Sequence, residues 1–567
     1  MPNSIKYTLS FPQRRQHLLE IRLDLQLENS TDFIDLNLPV WSPGSYVVRD
    51  YSRHLRNVTA QTKTGTSINV EQVEKARYRV ETSGVQELTV CYQVYCNELT
   101  VRTSELNDAH AFLHGPTHFF AVDGVEFDKY QVELDLPSDW KSVSTGLTEI
   151  NKNKLYEAAS YDDLLDCPLE IGSHEIASFM VQGKPHYLAC YGPLLPHKKK
   201  VLADIERIIN HVADYVGEIP YDNYTIISHF LPKIFGGLEH KNSTAVQFCS
   251  LNFGSKEGYE QWLGLIAHEY FHTWNIKRIR PNHLDTFDYS KENFTDMLWL
   301  AEGLTSFVDD QFVYRMGFHT LEEYLQVIKN NLNCYESIPG RYQHSLEESS
   351  FNAWIKLYRP DENSNNSSVS YYLKGGLVFG LLNIMLHQAG SSTQAFVRAL
   401  WQHYNGQPEK GISKQEVLDL ITQLSNQQVS DTFAEMLVSK DDIAFEAYYK
   451  TVGLEFEREK AKALSFGIQT EFKENRIYIK AVSEGNVASD HGLYAADEII
   501  AINGIRLLKD DWAKRNKWLQ ENEAYTFTIS RQNILKNIVV SPIVVAPEIK
   551  KICIVDQALA EACFKGC

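Results

Sequence analysis

Residues 268–272 read His268-Glu269-Tyr270-Phe271-His272, inside a stretch from about Tyr259 whose pattern fits a helix. At 3.6 residues per turn the two imidazoles stand on one face about one turn apart, so both can reach the same metal ion. Zinc suits such a pair, because it takes neutral imidazole nitrogens in a tetrahedral set. Glu269, about 100° around the helix, lies beside that metal, where a carboxylate can take a proton from the attacking water. Two surface histidines on an ordinary helix would give the same pattern, so a third ligand is the discriminating feature. Glu302 supplies it: it is the only acid between Asp296 and Asp309, inside Met297-Leu298-Trp299-Leu300-Ala301-Glu302-Gly303-Leu304. An ionised carboxylate in that apolar surround is costly unless a cation or donors meet it, a buried salt bridge being the competing reading.

Around this motif lie 567 residues, which at roughly 150 per domain predict about three or four domains. Hydrophobic residues make up 43% and charged residues 23%, which disfavours disorder, collagen-like repeats and rods. A net charge of −18 with no Lys/Arg block argues against nucleic acid. The longest mostly apolar run, Gly375 to Leu386, is shorter than the roughly 20 residues of a bilayer span and reads as a buried helix. The N-terminus alternates like a strand and lacks a secretory h-region, so the expected location is cytoplasmic. Nine scattered cysteines without a CxxC pair are expected to be free thiols.

The first 170 or so residues alternate with period two, as in Ile21, Leu23, Leu25 and Leu27 against Arg22, Asp24, Gln26 and Glu28, and predict an antiparallel β-sandwich. From about residue 197 an α+β segment begins, with an amphipathic helix at Val201 to Val216 and a strand at Tyr224 to Phe230. Residues 292–455 are mostly helical by spacing, with a capping box at Ser413 to Glu416. The charged stretch Glu455 to Lys462 reads as a linker. Short strands then return, with an Asn503-Gly504 hairpin signal and a helix near Asp511 to Leu519.

These residues resemble the zincins whose third ligand is a glutamate on a following helix, and within them the glycyl aminopeptidase family that carries a PDZ domain. The resemblance rests on His268 to Pro281 (HEYFHTWNIKRIRP), on Trp299 to Gly303, on Pro39 to Tyr51 (PVWSPGSYVVRDY) and on the downstream PDZ pattern, in that family's order. The spacer of residues 273–301 is longer than in the alanyl and leukotriene-hydrolase relatives, which favours the glycyl branch and leaves the loop Asn275 to Thr295 as extra material. The resemblance implies a multidomain α+β fold. It comprises an N-terminal β-sandwich (1–170), a thermolysin-like zinc peptidase domain (171–290), a helical domain carrying the third ligand (291–460), a PDZ domain (461–545) and a tail (546–567).

Two further sites follow from the resemblance. Gly236-Gly237-Leu238-Glu239-His240 looks like the Gly-x-Met-Glu-Asn segment of related aminopeptidases, with Leu238 and His240 in place of methionine and asparagine. Its glycines would let an edge strand approach the substrate backbone, and Glu239 would bind the free α-amine. Without the resemblance, a Gly-Gly turn and a solvated glutamate would be the better reading. Tyr371-Tyr372-Leu373-Lys374-Gly375 resembles the family's Tyr-x-Lys-Gly segment, which makes Tyr372 the oxyanion donor, with Tyr371 the alternative one position away. The expected activity is a Zn2+-dependent aminopeptidase acting on peptides with a free N-terminus, with N-terminal glycine or alanine preference implied by the family. The competing readings are a zinc endopeptidase or other zinc hydrolase, and a PDZ scaffold with an idle peptidase fold.

Ser465-Phe466-Gly467-Ile468 and Asp497 to Gly504 suggest a module that takes a peptide or protein C-terminus as an edge strand. A closed structural PDZ is the alternative. His110, His114 and His118 recur every four residues, but Gly115-Pro116 interrupts any helix that would align them. Cys249 reads as a buried, inert thiol.

Overall fold

The structure, a computed structural model, describes residues 2–29, 31–151, 153–192, 198–459, 463–485, 487–512, 514 and 519–565. The chain divides into two compact units, Met1–Thr295 with Met316–Phe318 and Gln394–Val417, and Asp296–Arg315 with His319–Thr393 and Leu418–Cys567. The architecture is multidomain α+β, β-rich at the N-terminus and helical in its C-terminal half.

In the first unit the hairpin Ser4–Gln13 and Leu18–Gln26 nucleates an eight-stranded sheet, Tyr7 opposite Leu23 and Leu9 opposite Ile21. Alternate residues Ile5, Tyr7, Leu9 and Phe11 turn inward because strand side chains alternate across the sheet. Two four-stranded sheets contribute Leu36, Val80, Leu113 and Ile171 to the same core. A five-stranded sheet follows, ordered Glu175–Val181, Lys184–Tyr191, Tyr224–Leu231, Ser243–Cys249, Phe235–Glu239. Its three central strands are mutually parallel and its last strand runs antiparallel at the edge. The helix Lys198–Val216 buries Val201, Ile205, Ile208, Ile209 and Val212, the face that the 3.6-residue spacing selects.

In the second unit the helix Tyr371–Gln388 is buried on nearly every side from Leu377 to Leu386, as an all-round apolar helix must be. Around it lie Leu304–Arg315, Leu321–Glu336, Leu346–Phe351, Gln427–Val438 and Phe445–Lys450. A small β-module, Ile468–Val540, encloses Phe466, Ile477, Ile479, Ile499, Ile502, Phe527 and Ile529. Its Asn503-Gly504 turn has φ of +50° and +74°, the left-handed pair that the dipeptide signals.

The structure refines the boundaries expected from sequence. The stretch read as a linker begins as a strand, Leu454–Arg458, paired with Ile549–Ile554, while residues 460–462 lie outside the described residues. In the segment expected as a C-terminal tail, the helix Gln557–Lys565 buries Ala560, Cys563 and Phe564, and Asn383 Nδ2 donates to the Cys563 carbonyl at 3.1 Å, while residues 566–567 lie outside the described residues. Residues 394–417, read as part of the helical domain, cluster with the first unit. The helix expected at Asp511 to Leu519 is described only as Lys509–Trp512; Ala513 and residues 515–518 lie outside the described residues. The Ser413 to Glu416 capping box is formed, Ser413 N donating to Glu416 Oε2 at 2.8 Å and Glu416 N to Ser413 Oγ at 3.3 Å. No helix among the described residues is long and apolar enough to cross a membrane. Eight cysteines are free thiols among the described residues.

Candidate active site

The helix Lys256–Phe271 starts where Ser255 Oγ accepts from the Gly258 amide at 2.9 Å, and it delivers His268 and His272 one turn apart at its end. Their Nε2 atoms are 3.0 Å apart. His272 Nδ1 lies 2.8 Å from the Asn275 carbonyl, which can only accept, so Nδ1 carries the proton and Nε2 presents its lone pair. Two nitrogen ligands at ~2.0–2.1 Å from a tetrahedral zinc stand about 3.3 Å apart, so this pair fits the metal. The Asn275 carbonyl belongs to the loop that sequence reasoning could only describe as extra material. There Ile276 N donates to Ile279 O at 3.0 Å, Lys277 N to His272 O at 3.1 Å, and Arg278 Nη1 to Thr273 O at 2.7 Å. The loop turns back on the end of the helix and sets the tautomer of His272, a backbone role that no side-chain motif could reveal.

Glu269 is 5% exposed and lies against Gly237 so closely that a Cβ there would run into its carboxylate. That contact explains why a glycine, and no larger residue, faces the helix at this point of the edge strand. Two residues on, Glu239 is also 5% exposed, and Gly44 of the turn Ser42–Ser45 abuts its carboxylate. Glu239, Glu269 and His272 each offer one ligand atom within 4.8 Å of the other two. Arg102 Nη2 donates to the Gly237 carbonyl at 3.4 Å, and Gly236 faces Val101 on the opposite side of the strand.

His240 fastens the end of that strand: its Nδ1 donates to Asp166 Oδ1 at 3.0 Å, where Lys277 Nζ also donates at 2.6 Å, while the Lys241 amide takes Oδ2 at 2.8 Å. Burial works against ionisation of Asp166, but Lys277 and His240 outweigh it and hold the carboxyl well below the usual range. Sequence reasoning missed Asp166 and Lys277, because residues 166, 240 and 277 meet only through the fold.

In the second unit Glu302, 3% exposed, sits in a π-helical turn, Trp299–Gly303, that runs into the helix Leu304–Arg315. Such turns are frequent at functional positions. Trp299, Leu300, Ala301 and Leu304 around it are buried, as the sequence indicated. Tyr371 is fully buried whereas Tyr372 is half-buried, and their rings stack at 4.9 Å. Burial first, then the nearby negative charge of Glu302, pushes the Tyr372 hydroxyl well above its ordinary value, so it stays protonated and able to donate. Lys374, lowered to about 8 by burial, is engaged in structure, its Nζ donating to the Ser439 carbonyl at 2.9 Å.

His110, His114 and His118 form no metal-binding group among the described residues: His110 is on a strand and its Nδ1 pairs with Glu170 Oε1 at 2.8 Å. Cys249 is half-buried rather than buried, and hydrogen bonds from the backbone at Lys233 and Leu251 lower its thiol pKa.

Family models match at residues 6–173, the peptidase M61 N-terminal domain, and at residues 261–378, the M61 glycyl aminopeptidase. The crystal structure of an aminopeptidase N family protein from Idiomarina loihiensis is 27% identical, covers 99% of this chain and 100% of its own, and superposes with a TM-score of 0.93. An M1 zinc metallopeptidase from Deinococcus radiodurans is 14% identical with a TM-score of 0.49, over 78% of this chain and 94% of that one. Two models of one family together span more than half of the residues, across both the β-rich N-terminal region and the histidine-bearing helix, and the chain therefore belongs to the M61 glycyl aminopeptidase family of zinc-dependent metallo-aminopeptidases.

Proposed function

We propose that this aminopeptidase releases N-terminal residues, glycine or alanine first, from peptides with a free N-terminus. The observation that carries the reading is the convergence of Glu239, Glu269 and His272, each offering a ligand atom within 4.8 Å of the others. A cationic α-amine held at Glu239 puts the first peptide carbonyl beside Glu269, and an amine anchor at a fixed distance from the reacting centre is what makes a peptidase an exopeptidase.

His268, His272 and, by its place in the sequence and the family pattern, Glu302 would hold the zinc. Held there, zinc would supply Lewis acidity toward the scissile carbonyl and the attacking water. Glu269 takes the proton from that water and returns it to the leaving nitrogen. Tyr372 donates to the carbonyl oxygen as negative charge develops there. Gly236 and Gly237 let the edge strand lie close to the substrate backbone. The assignment of residues 171–290 as a thermolysin-like domain and of 461–545 as a PDZ domain belongs to the same proposal. In the β-module the strand Ile468–Lys473 borders, among the described residues, only Arg476–Val482, an edge to which a peptide C-terminus could add.

Hydrolysis of glycyl and alanyl chromogenic amides, with and without a chelator, tests the reading. Chelator-sensitive release from the free-amine substrates is expected, with N-acetylated counterparts inert. Cleavage of blocked peptides without cleavage of free-amine substrates would make the protein an endopeptidase instead.

A further inference from the structure

The strand Phe235–Glu239 carries one exposed aromatic residue that the chemistry above does not use. It pairs antiparallel with Ser243–Cys249, Phe235 opposite Phe248, Gly237 opposite Val246 and Glu239 opposite Thr244. Side chains alternate across a strand. Gly236 faces Val101, and Leu238, fully buried, joins Val101, Phe112, Ala189, Ile227 and Ala245 in a small core. Phe235, Gly237 and Glu239 therefore share the other face, the face on which the Glu269 carboxylate lies against Gly237.

On that face Phe235 is 62% exposed. Its ring sits 6.0 Å from the ring of Phe248, which is 1% exposed and backed by Phe253. The side chain is thus supported at one edge and presents the rest of its ring to solvent, an arrangement that costs apolar exposure unless something covers it. At roughly 3.3 Å per residue, Phe235 stands about 13 Å along the strand from Glu239, with Gly237 and the general base midway. An extended peptide advances by the same rise. With its amine at Glu239 and its first carbonyl at Glu269, beside Gly237, it has about 7 Å left to run to Phe235, a distance that its third or fourth residue reaches.

We infer that Phe235 is a specificity-determining residue on the leaving-group side, forming an apolar subsite for the third or fourth residue of the substrate; the assignment rests on the aminopeptidase reading above. The enzyme would then favour peptides over single amino-acid amides, and among peptides those with an aromatic or large aliphatic residue at one of these positions.

The test compares Gly-Ala-Phe-Ala, Gly-Ala-Ala-Phe and Gly-Ala-Ala-Ala with glycine para-nitroanilide, using the full chain, Phe235→Ala and Phe235→Leu. The unaltered protein should prefer one phenylalanine peptide over the alanine peptide by about five- to tenfold in kcat/KM, mostly through KM. Phe235→Ala should abolish that preference and change the anilide rate by less than about twofold, while Phe235→Leu keeps most of the preference. A preference that survives Phe235→Ala, or an equal loss on peptide and anilide, would overturn the subsite. Failure of the unaltered protein to hydrolyse glycine para-nitroanilide or any of the peptides would overturn the aminopeptidase reading itself, and the subsite with it.

Discussion

Glu239 and Glu269 present the same carboxylate within a few ångströms of each other, and their supports divide the labour. Glu239 ends an edge strand pinned through His240 to Asp166, so it is built to stay put and hold a charge. Glu269 projects from a helix beside His268 and His272, where a carboxylate can both take and return a proton. Replacing each by glutamine separates the roles. Glu239→Gln should cost about 10- to 100-fold in kcat/KM for glycyl amides, the worth of one charge-assisted hydrogen bond, and should appear chiefly as a raised KM. Glu269→Gln should remove kcat by about 10²- to 10⁴-fold while metal content is unchanged; steady-state kinetics with metal analysis checks both. At this scale the sequence was most informative where function depends on local helical spacing, as at His268, Glu269 and His272. It was silent on the Asn275 carbonyl and on Asp166, because a backbone acceptor has no side-chain signature and a partner about 75 residues away has no fixed spacing.

Between elements, one tight constraint in the second unit is glycine against glycine. A Cβ on Gly303 would lie 2.8 Å from Gly375 Cα and 3.2 Å from the Tyr371 carbonyl, all backbone atoms that cannot swing aside. The π-helical turn that carries Glu302 is therefore seated directly on the helix that carries Tyr372, and the two glycines set the spacing between a proposed ligand and a proposed oxyanion donor. Gly303→Ala should destabilise the protein by about 1–3 kcal/mol through overpacking, and should lower kcat more than it raises KM. Calorimetry and kinetics on the same preparation check the two effects; a stable variant with wild-type kcat would show that the spacing is slack. Both glycines were visible beside the motifs, but their mutual contact was not, since periodicity reports which face is buried and not what it meets. The same limit explains the strand Leu454–Arg458. Its charged residues made it look like a linker, and the partner that makes it a strand, Ile549–Ile554, comes about 90 residues later. Where the signal is local, as in the Asn503-Gly504 turn and the Ser413 to Glu416 capping box, the sequence reading and the structure agree.

Over the whole molecule, −18 net charges make carboxylates the commonest ionised groups, yet one of the most consequential lies in the interior of the first unit. Glu170, fully buried, receives His110 Nδ1 at 2.8 Å and His229 Nε2 at 2.9 Å, and His110 Nε2 also reaches Glu105 at 3.3 Å. Glu170 and His110 lie on paired strands of the N-terminal β-rich region, whereas His229 lies on a central strand of the five-stranded sheet, so the cluster ties the one to the other. Burial disfavours charge on both partners. Even so, hydrogen bonds from His110 and His229 bring Glu170 down to about 2, and those to Glu105 and Glu170 bring His110 up to about 9. The two shifts bound a window of stability. His110, raised from 6.5, contributes fully below pH 6.5, and its contribution is lost as pH rises through about 9. Glu170, lowered from 4.5, contributes fully above pH 4.5, and its contribution is lost as pH falls through about 2. Thermal stability of the first unit should therefore be greatest between about pH 4.5 and 6.5 as far as this cluster is concerned, and should decline toward pH 9 and above. Glu170→Gln breaks the pair, lets His110 titrate nearer its ordinary range, and should cost about 3–5 kcal/mol near pH 6 but less near pH 10, where the pairing has already been lost. Calorimetric unfolding of both proteins across that range decides it: parallel curves, with the same deficit at every pH, would mean that Glu170 stabilises by packing and not by holding a charged histidine.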